Sequence, residues 1–311
     1  MHNHSHFGDT SKQTLSRLAL SLGLTLAFVL FEAIAGLMSN SLALLTDAAH
    51  NVTDVIALGL SFYAIRLATR PSNARKTYGY HRAGILVALV NATTLVIIAL
   101  VIFYEAWQRL LAPPEVQAGI LIGVGLVAFA INLGTALLVK KGSEHDLNLR
   151  SAFIHLMGDV LSTVGAVIAG VIIYFTGANW LDAFVGVLIG GLILWNAWGI
   201  LRETVDILLE STPRDVDMTA MIEELTQIDG VLGVHDLHVW SISSDLRTMS
   251  AHILTEDIPI SHGALIQAQV NELLAEHYNI AHATLQLECS GCAPDMLYCD
   301  IAEAGHTHEH A

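Results

Sequence analysis

Basic residues are scarce in this sequence. Its 311 residues include 14 Lys and Arg against 29 Asp and Glu, a net charge of −15. The shortage is local: residues 203–311 hold 2 basic and 19 acidic side chains, whereas residues 1–202 hold 12 and 10. Nucleic acid therefore finds little to bind, and cations or basic partners fit better. Cysteine is also rare. Cys289, Cys292 and Cys299 all lie near the C-terminus, and none falls in an apolar stretch. A structural disulfide is not expected if that end is cytoplasmic. The HExxH signature of helical zinc hydrolases is missing, as is the G-x-x-x-x-G-K-[ST] loop of ATP-driven pumps. No cleavable leader is expected, because the first apolar run is too long and lacks a small-residue cleavage site.

Apolar sequence is what the chain has in plenty: 53% of residues are hydrophobic and 14% charged. Six runs have the length, about 20 residues, that crosses a hydrocarbon core of roughly 30 Å. They are Leu15–Leu37, Leu42–Leu67, Ala83–Trp107, Ala118–Val139, Ser151–Phe175 and Leu181–Leu201. Basic residues mark one side. Lys12 and Arg17 precede the first run, and Arg66, Arg70, Arg75, Lys76 and Arg82 follow the second. Lys140, Lys141 and Arg150 follow the fourth, and Arg202 and Arg214 the sixth. The opposite loops carry only Arg109. The positive-inside rule then predicts both termini in the cytoplasm.

Beyond Ser211 the pattern changes. Pro213 ends the last apolar helix, Met218–Gln227 reads as a helix, and Val231–Ile242 and Thr248–Thr255 as strands. His262–His277 reads as an amphipathic helix and Ala281–Glu288 as a third strand. The expected fold is a multi-span α-helical membrane protein of six transmembrane helices with a C-terminal cytoplasmic α+β domain, αββαβ and ferredoxin-like. The expected divisions are a His-containing N-terminal tail (1–14), the transmembrane domain (15–205), the cytoplasmic domain (206–290) and a Cys/His-containing tail (291–311). So small a domain gains from dimerisation.

The chemistry sits in the second and fifth runs. TDAAHNVTD, residues 46–54, places His50 and Asp54 four apart, on one helical face. His155 and Asp159 repeat the arrangement. Charge at membrane depth is costly, and two imidazoles with two carboxylates supply the four N/O ligands of tetrahedral zinc. A divalent cation there compensates both aspartates. Asp47 lies on the same stripe and is expected beside the ligands rather than among them. Glu32, Asn91, Asn132 and Asn196 either line a path or bond between helices, and the second is the expectation. Gly36, Gly158, Gly165 and the Gly186-xxx-Gly190 pair permit close helix packing.

These features resemble the cation diffusion facilitator family, and SNSLALLTDAAHNVTD, YGYHRAGIL and VHDLHVWSI followed by SAHI are similar to its zinc-efflux branch. The resemblance runs from about Leu15 to Glu288. It implies a zinc/proton antiporter acting as a homodimer among membrane lipids; compact loops, with no long His-rich insert between the fourth and fifth runs, point to a bacterial inner membrane. Its transport site maps onto His50, Asp54, His155 and Asp159, and His at the first position is similar to members preferring zinc over cadmium. A further loop site of some members is not carried over, because RPSNARKTYGYHR is basic with His81 alone. Domains of this kind bind zinc between protomers, which implies His235, His252 and Glu288 as ligands, with His262 as a further candidate. Gln286 stands where some relatives have another histidine. On a strand His235 and His238 point to opposite faces, so a single site is not expected to take both. Cys289-Ser-Gly-Cys292 has zinc-ligand spacing. HNHSH at 2–6 and HTHEH at 306–310 can hold metal loosely. The rival readings are a membrane-embedded metalloenzyme, which wants an open coordination position and a general base, and a metal sensor, for which six spans are excessive.

Overall fold

The computed structural model describes residues 26–140, 147–244 and 246–289. They form two compact units, one of residues 26–63 with 87–201, the other of 64–86 with 202–289.

The first unit is helical. Its elements are α1 (Leu26–Ser39 among the described residues), α2 (Leu42–Ala68), α3 (Ala83–Leu111), α4 (Ala118–Lys140), α5 (Leu147–Thr176) and α6 (Trp180–Leu208). The helices α2 to α6 are long and apolar enough to cross a membrane. The expected first run begins at Leu15, and its residues before Leu26 lie outside the described residues. Leu138, Phe175 and Trp195 are at least 79% exposed, as suits side chains whose solvent is lipid. The basic-poor loops meet at one end. Arg109 Nη1 donates to the Asn40 carbonyl at 2.6 Å, Gln117 N to the Ser39 carbonyl at 2.9 Å, and Val116 N to Asn179 Oδ1 at 3.2 Å.

Glycine permits close helix approach at several of the expected positions. A Cβ on Gly186 would lie 3.0 Å from Leu42, and one on Gly190 would lie 3.1 Å from Phe103. Each therefore seats a different neighbouring helix. Gly158 differs: nothing lies within 4 Å of its notional Cβ, because it lines a cavity.

Asp182, in the first turn of α6, is buried. Its carboxylate accepts from Ser41 Oγ and from the backbone N–H groups of Leu42 and Ala43. These are the orphan donors at the start of α2, where a negative charge is favoured. An apolar helix thus has its first turn capped from another helix. Asp182→Ala is expected to cost on the order of 2–4 kcal/mol, since several donors lose their acceptor at once. A lower thermal unfolding temperature of the detergent-solubilised chain measures it, and an unchanged temperature contradicts the capping role.

The second unit contains α7 (Met218–Thr226), β1 (Gly233–Ser241), β2 (Arg247–Leu254), α8 (Ile260–Tyr278) and β3 (Ile280–Glu288), the expected αββαβ order. Asp217 caps α7, accepting from the N–H groups of Thr219 and Ala220. Asn279 ends α8 in the left-handed conformation, φ 54°. The sheet order is β1-β2-β3, with β1 antiparallel and β3 parallel to the central β2. Met221 and Leu225 of α7 and Val270 and Leu274 of α8 pack with Leu237, Met249 and Ile253 of the sheet. Arg247 grips Asp215 through both carboxylate oxygens at 2.9 and 2.7 Å, holding that carboxyl below its usual range. Alternation leaves the other sheet face polar.

Candidate metal centre

In the first unit the two His-Asp pairs meet. Nε2 of His50 lies 3.4 Å from Asp54 Oδ2 and 3.7 Å from Asp159 Oδ1. Nε2 of His155 lies 3.2 Å from Asp54 Oδ2 and 3.8 Å from Asp159 Oδ2. The two rings stand edge to face with centroids 5.4 Å apart. Each histidine is therefore close to the aspartate of its own helix and to that of the other. Single ligand atoms of His50, His155 and Asp159 all lie within 4.8 Å of one another. Nδ1 of His50 is buried without a hydrogen-bond partner.

Exposure is graded across the quartet. The side chains of His50 and Asp159 are 9% and 13% exposed, those of Asp54 and His155 33% and 42%. A cavity of about 620 Å³ opens onto the buried side, lined by His50, His155, Gly158, Asp159, Ser162 and Asn196 among others. Asn196 lines this cavity, the alternative to bonding between helices. Glu32 does join two helices: Asn51 Nδ2 lies 3.5 Å from Glu32 Oε2 and 3.2 Å from Asp47 Oδ2. Asp47 and Glu32 are both buried. Asp47 thus stands beside the quartet, tied to Asn51. Asn51 carried no signal of its own beyond standing next to His50.

The second unit holds another cluster on the polar face of its sheet. His235 pairs with His252 across β1 and β2, and His252 with Gln286 across β2 and β3. His235 Nε2 lies 3.2 Å from Glu288 Oε2, and His252 Nδ1 lies 3.0 Å from Glu288 Oε1. One ligand atom from each of His235, His252 and Glu288 falls within 4.8 Å of the others. His235 Nε2, His252 Nδ1 and Glu288 Oε2 are buried and lack a hydrogen bond of acceptable geometry. Buried donor atoms converging without satisfying one another suit a cation.

One strand expectation is overturned here. A bulge separates His235 from His238, with Asp236 at φ 47°. Val234 and Leu237, three apart, both enter the core. His235 and His238 consequently share the opposite face rather than taking one face each. Asp236 bridges His238 and His252: its carboxylate lies 3.2 Å from His238 Nε2 and 3.5 Å from His252 Nε2. The signal available was Asp236 itself, between two histidines in HDLH. His262 is exposed in the first turn of α8, and Cys289 is exposed beyond β3; among the described residues neither joins the cluster. Cys292, Cys299 and both His-rich tails lie outside the described residues.

Residues 18–209 match the family model described as the cation efflux transmembrane domain, and residues 213–290 match the cation efflux protein cytoplasmic domain. The chain belongs to the cation efflux family. It is a multi-pass membrane protein with a cytoplasmic domain. This cation efflux protein is 35% identical to the zinc transporter ZitB of Escherichia coli K12, over 99% of each chain. It is 37% identical to ZitB of Pectobacterium atrosepticum, over 98% of this chain and 93% of that one. It is 34% identical to the metal cation efflux system protein CzcD of Cupriavidus metallidurans, over 94% of this chain and 90% of that one.

Proposed function

We propose that this cation efflux protein exports zinc, and other divalent cations less well, from the cytoplasm in exchange for protons. The carrying observation is the convergence of His50, Asp54, His155 and Asp159 from α2 and α5 on one point. Relatives named as zinc transporters, and a Bacillus subtilis relative named a cadmium, cobalt and zinc/H⁺-K⁺ antiporter at 34% identity, support the cargo and the coupling.

Charge balance explains the exchange. With both imidazoles neutral and both aspartates ionised, the empty quartet carries two negative charges. One divalent cation neutralises it, and so do two protons, one on each imidazole. Either load is tolerable in a low-dielectric bundle, and the empty ionised site is not. Imidazole titrates near pH of about 6.5, so each nitrogen can hold a proton or a metal near neutrality. Metal must displace the protons it finds. An alternating opening of the cavity to each side turns this exclusion into antiport, and the graded exposure of the quartet is what one such opening requires. We read both termini as cytoplasmic, the membrane as a bacterial inner membrane, and the active form as a homodimer. In the cytoplasmic domain His235, His252 and Glu288, joined by Asp236, would hold a regulatory zinc.

Proteoliposomes test the reading. An imposed pH gradient, acid on the side opposite the zinc, is expected to drive zinc flux without ATP, and zinc binding to release about two protons per ion. Flux indifferent to the gradient rejects proton exchange. Metal-dependent hydrolysis in its place would favour a metalloenzyme. That alternative is disfavoured by four ligands, which close a tetrahedron.

A further inference from the structure

A second cavity, of about 610 Å³, lies within the second unit at the loop between α2 and α3. Its lining combines Arg75, Lys76, His81 and Arg82 with Tyr80 and Trp240. The zinc-exchange chemistry above uses none of them. The single acid on its wall, Glu210, is paired with Arg82 at 2.9 Å. Among the described residues no carboxylate lies within ion-pair distance of Arg75 or Lys76. This concentration of positive charge adjoins a chain segment, 203–311, with 2 basic and 19 acidic side chains. It is a local reversal of sign.

The loop has a defined conformation. Asn73 and Lys76 form a tight bridge, and Asn73 Oδ1 accepts from the N–H groups of Arg75 and Lys76 at 3.0 and 3.1 Å. Gly79, at φ 72°, takes a left-handed turn. Lys76 Nζ sits 5.7 Å over the Tyr80 ring, and Tyr78 meets His282 of β3 edge to face at 6.2 Å. The backbone carrying Arg75 and Lys76 is therefore fixed, and the Lys76 ammonium rests on Tyr80, before any ligand arrives.

Position selects the ligand. The loop joins the end of one apolar span to the start of the next, so it lies where hydrocarbon gives way to headgroups. Leu67 of α2 and Leu86 of α3 line the cavity beside the basic groups, with Ile242. Basic side chains beside apolar wall and an aromatic ring match a phosphodiester carrying acyl chains. A free phosphate would leave the apolar wall unused. We propose that this cavity binds the phosphate of an anionic phospholipid of the cytoplasmic leaflet, through Arg75 and Lys76.

The test uses the full chain in nanodiscs of phosphatidylcholine into which phosphatidylglycerol is titrated. Wild-type protein is expected to retain phosphatidylglycerol in preference to phosphatidylcholine by native mass spectrometry and to unfold at a higher temperature as its fraction rises. Raised salt should weaken both effects. The double variant Arg75→Ala/Lys76→Ala should lose roughly tenfold or more of that preference, since each basic residue near an anionic leaflet contributes about fivefold. Its unfolding temperature in pure phosphatidylcholine should match the wild type. Should it fail to fold, Arg75→Gln/Lys76→Gln and the wild-type salt series decide the matter. Equal retention of both lipids by the wild type, or undiminished preference in the double variant, overturns the proposal. So does a stabilisation of detergent-solubilised protein by millimolar inorganic phosphate that the double variant loses, which would assign the cavity to free phosphate.

Discussion

Asp159→Asn is expected to reduce zinc flux at least about 100-fold while the variant inserts in normal amount. The amide has nearly the volume of the carboxylate, so packing around α5 is kept. What changes is charge. Asp159 lies within 3.8 Å of both histidines of the quartet, and its side chain is 13% exposed. With an amide there, a bound divalent cation leaves a net positive charge in the bundle, and two imidazolium groups face one carboxylate. Both loaded states become expensive, so neither half of the exchange proceeds. Asp54→Ala should act similarly, because Asp54 Oδ2 is the closest acid to each imidazole. Zinc flux into everted vesicles, normalised to inserted protein, measures the loss. A second readout separates chemistry from folding: without zinc the Asn variant should unfold at the wild-type temperature, and zinc should no longer raise it. Full flux in either variant would remove the quartet from the transport path.

Much of this site was legible because a helix converts spacing into direction. His50 with Asp54 and His155 with Asp159 each read as one-face pairs, and the same pair in two apolar runs pointed to a shared site, where the four side chains do converge. The alternation of apolar residues in β1, β2 and β3 likewise gave the sheet nearly residue by residue. The remainder depended on contacts between distant segments. Glu32 looks like an unrelated polar intrusion until packing of α1 on α2 lets Asn51 reach both it and Asp47. Asn196 on α6 lines the cavity only because α6 packs beside the α5 face that carries Asp159. The polar face of the sheet misled for a local reason. Period-two reasoning assumes an unbroken strand, and the left-handed backbone at Asp236 shifts the phase by one residue. That shift puts His238 on the face of His235 and brings an unremarked aspartate into the cluster.

His50→Asp is expected to change what is transported rather than whether transport occurs. His50 is the most buried member of the quartet, so on the proposed reading its nitrogen would meet the cation with least help from water. Replacing its imidazole by a carboxylate adds a charge and up to two oxygens where one nitrogen stood. Zinc favours four donors in a tetrahedron, whereas larger divalent ions accept more oxygens and looser geometry. The cadmium-to-zinc flux ratio should therefore rise by roughly tenfold. Coupling should weaken in the same variant, since a carboxylate near its ordinary range holds few protons at neutral pH. The number of protons released per zinc should fall by about one. Competition flux with both metals, together with proton release in lightly buffered solution, measures the two effects on one preparation. A variant that keeps the wild-type metal preference and proton count would show that His50 contributes neither the ligand nor the exchangeable proton, leaving His155 to supply both.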